Sequence, residues 1–194
     1  MNREAHIDRT TTETSVLLDL KLDGTGMYAI ETGVGFFDHM LSHIAKHGGL
    51  DLTLKAKGDL HVDEHHLVED VGICLGRGIA DALGDKRGIE RFGTSFVTMD
   101  EALARTVIDL SGRSHLVFHA GFSRDIINGF ALEMVREFFQ AIANEARMNL
   151  HVALLYGTNA HHQAEAIFKS FGRALRAAVQ TTGTGTIPST KGIL

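Results

Sequence analysis

The segment HHLVEDVGICLGR at residues 65–77 is repeated without a gap as HHQAEAIFKSFGR at residues 161–173. Both copies keep the paired histidines, the glutamate four positions after the first histidine, the last glycine and the arginine. A duplication kept only for packing would preserve the spacing of the apolar residues along the helix. It would have no reason to preserve His-His-x-x-Glu. The sequence therefore predicts two similar halves, and it indicates that their shared polar residues carry chemistry.

The elements around the two copies follow in the same order. In the first half, VLLDLKL (16–22) and LDLTL (50–54) alternate as half-buried strands, and helices are predicted over 36–49 and 64–83. The second half offers strands and helices in this succession: SFVTMD, ARTVIDLSG and HLVFHAGF as strands, ALEMVREFFQAIANEARM as a helix, NLHVALLYG as a strand and AHHQAEAIFKSFGRALRAAV as a helix. We predict an α/β protein of the two-layer α+β type. Its half-domains, 1–90 and 91–194, each have a mixed sheet with two helices on one face.

The composition limits the class of protein. With 44% apolar residues and a formal net charge of −5, the chain should bury a core, and its charge does not suit a nucleic-acid backbone. No apolar run approaches the ~18 residues that span a bilayer. Cys74 is the single cysteine, so no intrachain disulfide can form, and it is expected to be a buried small apolar residue. These features predict a soluble, cytoplasmic protein with a small polar ligand, without nucleic-acid or membrane partners.

The repeated motif has the spacing of a helical metal site. Positions i and i+4 share a helix face, so His65 with Glu69, and His161 with Glu165, can each present an imidazole and a carboxylate to one ion. The second histidine of each pair points about 100° away around the helix and is free to serve another ion.

An upstream match extends each set of ligands. DHMLSHIA aligns with REFFQAIA, which places His39 opposite Glu137. An approximate twofold between the halves then predicts two crossed sets: His65, Glu69, His162 and His39 at one ion, and His161, Glu165, His66 and Glu137 at the other. Imidazole nitrogens with one or two carboxylates suit Mn²⁺ or Fe²⁺, and Zn²⁺ less well. Whether one chain or several supply a set stays open.

The remaining histidines have several interpretations. His43 and His47 share a helix with His39, and they are either solvated or in contact with a substrate. Ordinary surface or strand roles are expected for His6, His61, His115 and His119, and a structural role for His151.

Four motifs in order, GVGFFDHMLSHIAKHG, VDEHHLVEDVGICLGRG, NAHHQAEAIFKSFGRALR and the terminal IPSTKG, resemble the imidazoleglycerol-phosphate dehydratase family over nearly the whole chain. TTETSV, RFG and LSGR add to the resemblance. It implies the conversion of D-erythro-imidazole glycerol phosphate to imidazole acetol phosphate in histidine biosynthesis, with two manganese ions per site. It also implies helices sandwiched between two sheets, and an octahedral homo-oligomer of 24 subunits with active sites shared between subunits.

The resemblance also assigns roles to residues. The implied metal ligands are His39, His65, His66, Glu69, Glu137, His161, His162 and Glu165. Some members carry histidine where Glu137 stands here, which leaves the charge at that ion in question. Glu13 in TTETSV matches a carboxylate that does acid/base work, and the implied phosphate-binding residues are Arg91, Arg113, Ser189, Thr190 and Lys191.

The implied chemistry begins with an imidazolate ring held by two manganese ions. Its electrons expel the side-chain hydroxyl to give a diazafulvene-like intermediate, and loss of a carbon-bound proton then gives the enol. We expect Glu13 to act at the leaving hydroxyl, and Glu165 or a metal-bound water to take part in proton abstraction. A two-metal phosphoesterase, a metal-storage protein and an RNA-binding module are the alternatives. The predominance of histidine ligands argues against the phosphoesterase, and the predicted phosphate-binding residues argue against metal storage. The net acidity argues against RNA binding.

Overall fold

The computed structural model of the chain describes residues 3–194. The described part contains four helices and two four-stranded sheets, with a short two-stranded hairpin. The elements are β1 (Glu4–Thr10), β2 (Thr14–Lys21), β3 (Tyr28–Glu31), α1 (Gly35–Gly48), β4 (Asp51–Gly58), α2 (His65–Leu83), β5 (Phe92–Met99), β6 (Ala102–Asp109), β7 (His115–His119), β8 (Ile126–Ile127), β9 (Phe130–Ala131), α3 (Met134–Glu145), β10 (Asn149–Tyr156) and α4 (Ala160–Val179).

The two sheets have the same topology. The first has the order β1-β2-β4-β3 and the second the order β5-β6-β10-β7. In each sheet the first two pairings are antiparallel and the last is parallel. The internal repeat predicted from the sequence is therefore confirmed in the fold. The division at residue 90 stays a prediction; α2 ends at Leu83, and β5 begins at Phe92.

The helices lie between the two sheets, as the family resemblance implies. On one side α2 packs against β1 and β2 and also against α3 of the other half, while α4 packs against β5 and β6 and also against α1. Both halves thus share one apolar core, which includes Leu18 of β2, Phe138 of α3 and Phe168 of α4. Among residues 3–194, no helix combines the length and apolar character needed to cross a membrane.

Besides the short strand β3, the sequence interpretation missed two elements. The polar N-terminal stretch forms β1, an edge strand whose half-buried residues Ala5, Ile7 and Arg9 alternate with exposed ones. The other is the hairpin of β8 and β9, which turns at Asn128 and Gly129 with positive φ angles of 47° and 80°. Asn-Gly between apolar residues is a strong hairpin signal, so this element was detectable from the sequence.

The glycine that both repeat copies keep is explained by helix packing. A Cβ on Gly76 would lie 2.9 Å from the carbonyl oxygen of Ile142, and one on Gly172 would lie 2.8 Å from that of Ile44. Ile44 and Ile142 are counterparts in the aligned upstream helices, so the same close approach occurs twice, between α2 and α3 and between α4 and α1. A backbone carbonyl cannot move away from an added Cβ as the end of a flexible side chain could.

We expect Gly172→Ala to lower the free energy of unfolding by about 1–3 kcal/mol, because the added methyl overpacks the contact between α4 and α1. Denaturant unfolding measures the change. Gly121→Ala is the control, since a Cβ there meets nothing within 4 Å and should change stability by less than about 0.5 kcal/mol. Equal effects of the two substitutions would contradict this account of the glycine.

Candidate metal centre and active site

A cluster of histidines surrounds Glu165 where α1 packs against α4. The Oε1 atom of Glu165 lies 2.8 Å from Nε2 of His39 and 3.0 Å from Nε2 of His161. His43 adds a third imidazole, with its Nε2 atom 3.3 Å from the same oxygen. Donor atoms of His39, His43 and Glu165 all lie within 4.8 Å of one another, close enough to bind a single ion.

The charges of this cluster favour a cation. Burial alone would raise the pKa of Glu165, but hydrogen bonds from Lys169, His39 and His161 lower it overall, so the carboxylate is ionised at neutral pH. Burial lowers the pKa of His43 to about 4, which keeps its imidazole neutral. An ionised carboxylate beside imidazole nitrogens is a donor set that fits Mn²⁺ or Fe²⁺.

His43 and His47 follow His39 along the same face of α1. The side chain of His43 is only 14% exposed and reaches the Glu165 cluster, which excludes the solvated interpretation for this residue. The ring of His47 lies beside it at a tilt of 34°, with ring centroids 5.6 Å apart. Burial, followed by the charges of Lys169 and Arg173, lowers the pKa of His47.

The second histidine of each pair is held by a carboxylate that the sequence interpretation missed. Nδ1 of His66 lies 3.0 Å from Oδ2 of Asp59, and Nδ1 of His162 lies 2.7 Å from Oε2 of Glu101. These hydrogen bonds are the largest cause of the raised pKa of both histidines. Asp59 and Glu101 occupy different places in the two repeats, so the alignment that revealed the ligands could not reveal them.

The other half of the repeat presents His65, Glu69 and Glu137 where α2 packs against α3. The side chain of Glu69 is exposed, His65 is half-buried, and the Glu137 carboxylate accepts a hydrogen bond from Arg136 at 2.8 Å. Within one chain His39 lies beside Glu165, because α1 packs against α4. Since the sequence leaves open whether one chain or several supply a set, the crossed sets stay a prediction.

Glu13 lies in the turn immediately before β2, close to the His-His pair of the first repeat. Its Oε2 atom is 3.9 Å from Nδ1 of His66, and its side chain is 53% exposed. The next residue, Thr14, donates a hydrogen bond to the buried Asp70 of α2, and Arg9 forms an ion pair with the same carboxylate at 2.5 Å. The strand that follows Glu13 is thereby fixed to the helix that carries the predicted ligands.

The predicted phosphate-binding residues gather around the C-terminal tail. Arg91 donates to the carbonyl of Pro188 at 2.8 Å and pairs with Asp109 at 2.7 Å. The chain end approaches Arg113, because a Cβ on the adjacent Gly112 would lie 2.6 Å from the carbonyl carbon of Leu194. Between these two points run half-buried Ser189 and the exposed residues Thr190 and Lys191.

This basic region lies far from the histidine cluster of the same chain. The Arg91 amide donates to the carbonyl of Ala178 near the end of α4, whereas Glu165 belongs to the first turns of that helix. At 1.5 Å per residue, the helix separates the two positions by about 20 Å.

Fold and cluster together define a class: two-repeat α/β proteins with a histidine and carboxylate site suited to a divalent metal. The sequence model that matches residues 32–175 describes imidazoleglycerol-phosphate dehydratase. The chain is 56% identical over 194 residues to the imidazoleglycerol-phosphate dehydratase of Hydrogenovibrio crunogenus, covering 99% of this chain and 100% of the relative. It is 54% identical over 195 residues to that of Herminiimonas arsenicoxydans, covering 100% and 98%.

Two solved structures are similar over most of the fold. The Staphylococcus aureus imidazoleglycerol-phosphate dehydratase has a TM-score of 0.83 and 40% identity, covering 92% of this chain and 99% of that one. The Pyrococcus furiosus enzyme, in complex with (S)-C348, has a TM-score of 0.85 and 35% identity, covering 97% and 100%. The chain belongs to the imidazoleglycerol-phosphate dehydratase family, and it is a hydro-lyase of histidine biosynthesis.

Proposed function

We propose that the chain dehydrates D-erythro-imidazole glycerol phosphate to imidazole acetol phosphate with two manganese ions. The supporting observation is the convergence of His39, His43 and His161 on the ionised carboxylate of Glu165. The repeat offers a second set through His65, Glu69 and Glu137. The histidines His66 and His162, whose side chains are 35% and 23% exposed, can complete sets in another subunit. When bound, the ions would supply the positive charge that stabilises the imidazolate form of the substrate ring.

Two glutamates of the chain are candidates for the proton transfers that the reaction needs. The substrate loses a hydroxyl and a carbon-bound hydrogen, and the diazafulvene-like species between these losses needs proton transfers at the side chain. Glu13 is exposed and free to approach that side chain, so we assign to it protonation of the leaving hydroxyl. Glu165 is held by Lys169 and two histidines, which makes it a weaker base for the carbon-bound proton.

We propose further that each active site is completed by a neighbouring copy of the chain. The phosphate and the ring of the substrate are joined by a few bonds that span roughly 7 Å. Arg91 and the histidine cluster of one chain are separated by about 20 Å along α4. A substrate of that length does not span this separation, which supports phosphate-binding residues supplied by another subunit. This geometry supports a homo-oligomer with shared sites, and the octahedral assembly is our proposal for its form.

A mixing experiment tests the shared site. One variant carries His161→Ala, and the other carries both Arg113→Ala and Lys191→Ala, which are exposed positions outside the core. Each variant alone should be nearly inactive, while chains co-expressed in equal amounts should recover about a quarter of the wild-type activity, because random mixing restores that share of sites. Metal analysis should find about two ions per chain in the phosphate variant, since that variant keeps both ligand sets.

Three results would count against the proposal. Co-assembled variants that stay inactive, although mass measurement shows mixed particles, would mean that one chain holds a complete site. Loss of metal from the phosphate variant would mean that the basic region is part of the metal centre. Wild-type protein that dehydrates the substrate equally well after chelation would remove the ions from the mechanism.

A further inference from the structure

Glu101 is a carboxylate near the predicted ligands that hydrogen-bonds to both the backbone and a histidine. Its Oε2 atom lies 2.7 Å from Nδ1 of His162. Its Oε1 atom accepts hydrogen bonds from the backbone N–H groups of Thr158 and Asn159, at 2.9 Å and 2.7 Å. Asn159 in turn caps α4 by accepting from the backbone N–H of His161 at 2.9 Å. One carboxylate thus fixes both the start of α4 and the imidazole of His162.

We propose that Glu101 is a positioning residue that holds His162 in the tautomer protonated at Nδ1. A carboxylate accepts hydrogen bonds only, so the proton of the neutral ring must lie on the nitrogen that faces Glu101. The lone pair of Nε2 is then free, since the nearest carboxylate oxygen on that side, Oδ2 of the exposed Asp100, lies 3.8 Å away, beyond hydrogen-bond distance. A histidine that ligates a metal through one nitrogen commonly donates from the other to a carboxylate. This inference rests on the proposed metal-binding function of His162.

The first repeat supports this role, because a different carboxylate orients the equivalent histidine there. Its equivalent histidine, His66, is held at Nδ1 by Asp59. Glu101 directly precedes β6 and Glu13 directly precedes β2, so the two glutamates are topological counterparts. Glu13 stays 3.9 Å from His66. Because Asp59 orients the histidine in the first half, the glutamate in the turn is left free there, whereas in the second half it is engaged.

The substitution Glu101→Gln separates positioning from folding. The amide oxygen of the glutamine can still accept from the N–H groups of Thr158 and Asn159. Its amide nitrogen would donate to Nδ1 of His162, which forces the ring proton onto Nε2 and removes the lone pair offered to the ion. Thr158→Val is the matched control, since it removes a 3.2 Å hydrogen bond to the same carboxylate but leaves His162 untouched.

Two readouts are needed. Magic-angle-spinning NMR of metal-free protein with ¹⁵N-labelled histidine reports the tautomer, and the His162→Gln variant assigns the signal. We expect Nδ1–H in the wild type and in Thr158→Val, and Nε2–H in Glu101→Gln. Calorimetric titration with Mn²⁺ should show a 10- to 100-fold weaker site in Glu101→Gln, which is about the range for loss of a partner that orients a ligand.

The failures of the two proposals can be told apart. A Glu101→Gln protein that keeps the wild-type tautomer and Mn²⁺ affinity would overturn the positioning role, while the metal site of the wild type would stand. Wild-type protein that binds no Mn²⁺ would overturn the proposed function itself. Equal weakening of Mn²⁺ binding by Thr158→Val would show that Glu101 acts only through the fold of the loop, and it would also overturn the positioning role.

Discussion

The substitution Glu165→Gln should remove one of about two ions per chain, because Glu165 is the carboxylate on which His39 and His161 converge. We expect kcat to fall by about 10³-fold or more, since loss of a metal's charge stabilisation costs several kcal/mol. The metal-free variant should also be less stable by about 2 kcal/mol, because the glutamine leaves the Lys169 ammonium without its charged acceptor. Plasma emission spectroscopy, steady-state kinetics and denaturant unfolding of chelated protein measure the three effects.

Glu69→Gln provides a matched control for that experiment. Glu69 is the counterpart of Glu165 in the repeat, but its side chain is exposed. It should therefore also cost one ion, while the stability of the metal-free protein changes by less than about 0.5 kcal/mol. If Glu165→Gln retained both ions, Glu165 would be a structural anchor for Lys169, and the ligand set drawn from the repeat would be wrong.

The sequence predicted the fold well where periodicity and duplication coincide. The copies of His-His-x-x-Glu set the register of the two halves, and the strand order of each sheet agrees with that register. Edge strand β1 was missed because its inward positions hold Ala5, Ile7 and Arg9, a pattern with too little apolar contrast. Arg9 is tolerated there because Asp70 neutralises it, and Asp70 has Ala166 as its counterpart in the second repeat.

The candidate site was only partly predictable. Helical spacing correctly placed His161 and Glu165 on one face, where they meet at 3.0 Å. Which helix supplies the next ligand depends on how the helices pack. Gly172 lets α1 approach α4, and so His39 reaches Glu165 within the chain. Spacing along the sequence carries no information about that approach, so the crossed assignment of His39 could not be decided from the motif.

Carboxylates that orient histidines were even less visible in the sequence. Asp59 follows β4 and Glu101 precedes β6, and neither has the spacing of a motif. Their roles depend on turns that bring distant segments to the start of a helix. Glu101 can be compared with Glu13 only when the strand pairings are known. The comparison explains why Glu13 is not needed to orient His66, since Asp59 does so.

Glu13→Gln should leave folding, assembly and metal content unchanged, because the Glu13 side chain is 53% exposed and its nearest ionic contact is at 3.9 Å. The glutamine keeps the size and the hydrogen-bonding reach of the side chain, but it cannot exchange a proton. Substrate should still bind within about tenfold of wild type, while kcat falls by about 10² or more, the usual contribution of a positioned acid or base.

The neighbouring substitution Thr12→Ala controls for disturbance of the turn, since Thr12 is exposed and lies beside Glu13. Its kcat should stay close to wild type, and metal analysis of both variants should match that of the unchanged protein. The backbone around Glu13 is held by Thr11 and by the contact of Thr14 with Asp70, which neither substitution touches. A Glu13→Gln enzyme with more than about a third of the wild-type kcat would contradict an acid/base role, because such a role supplies a factor of about 10². Proton transfer would then have to come from a metal ligand or from water bound beside it.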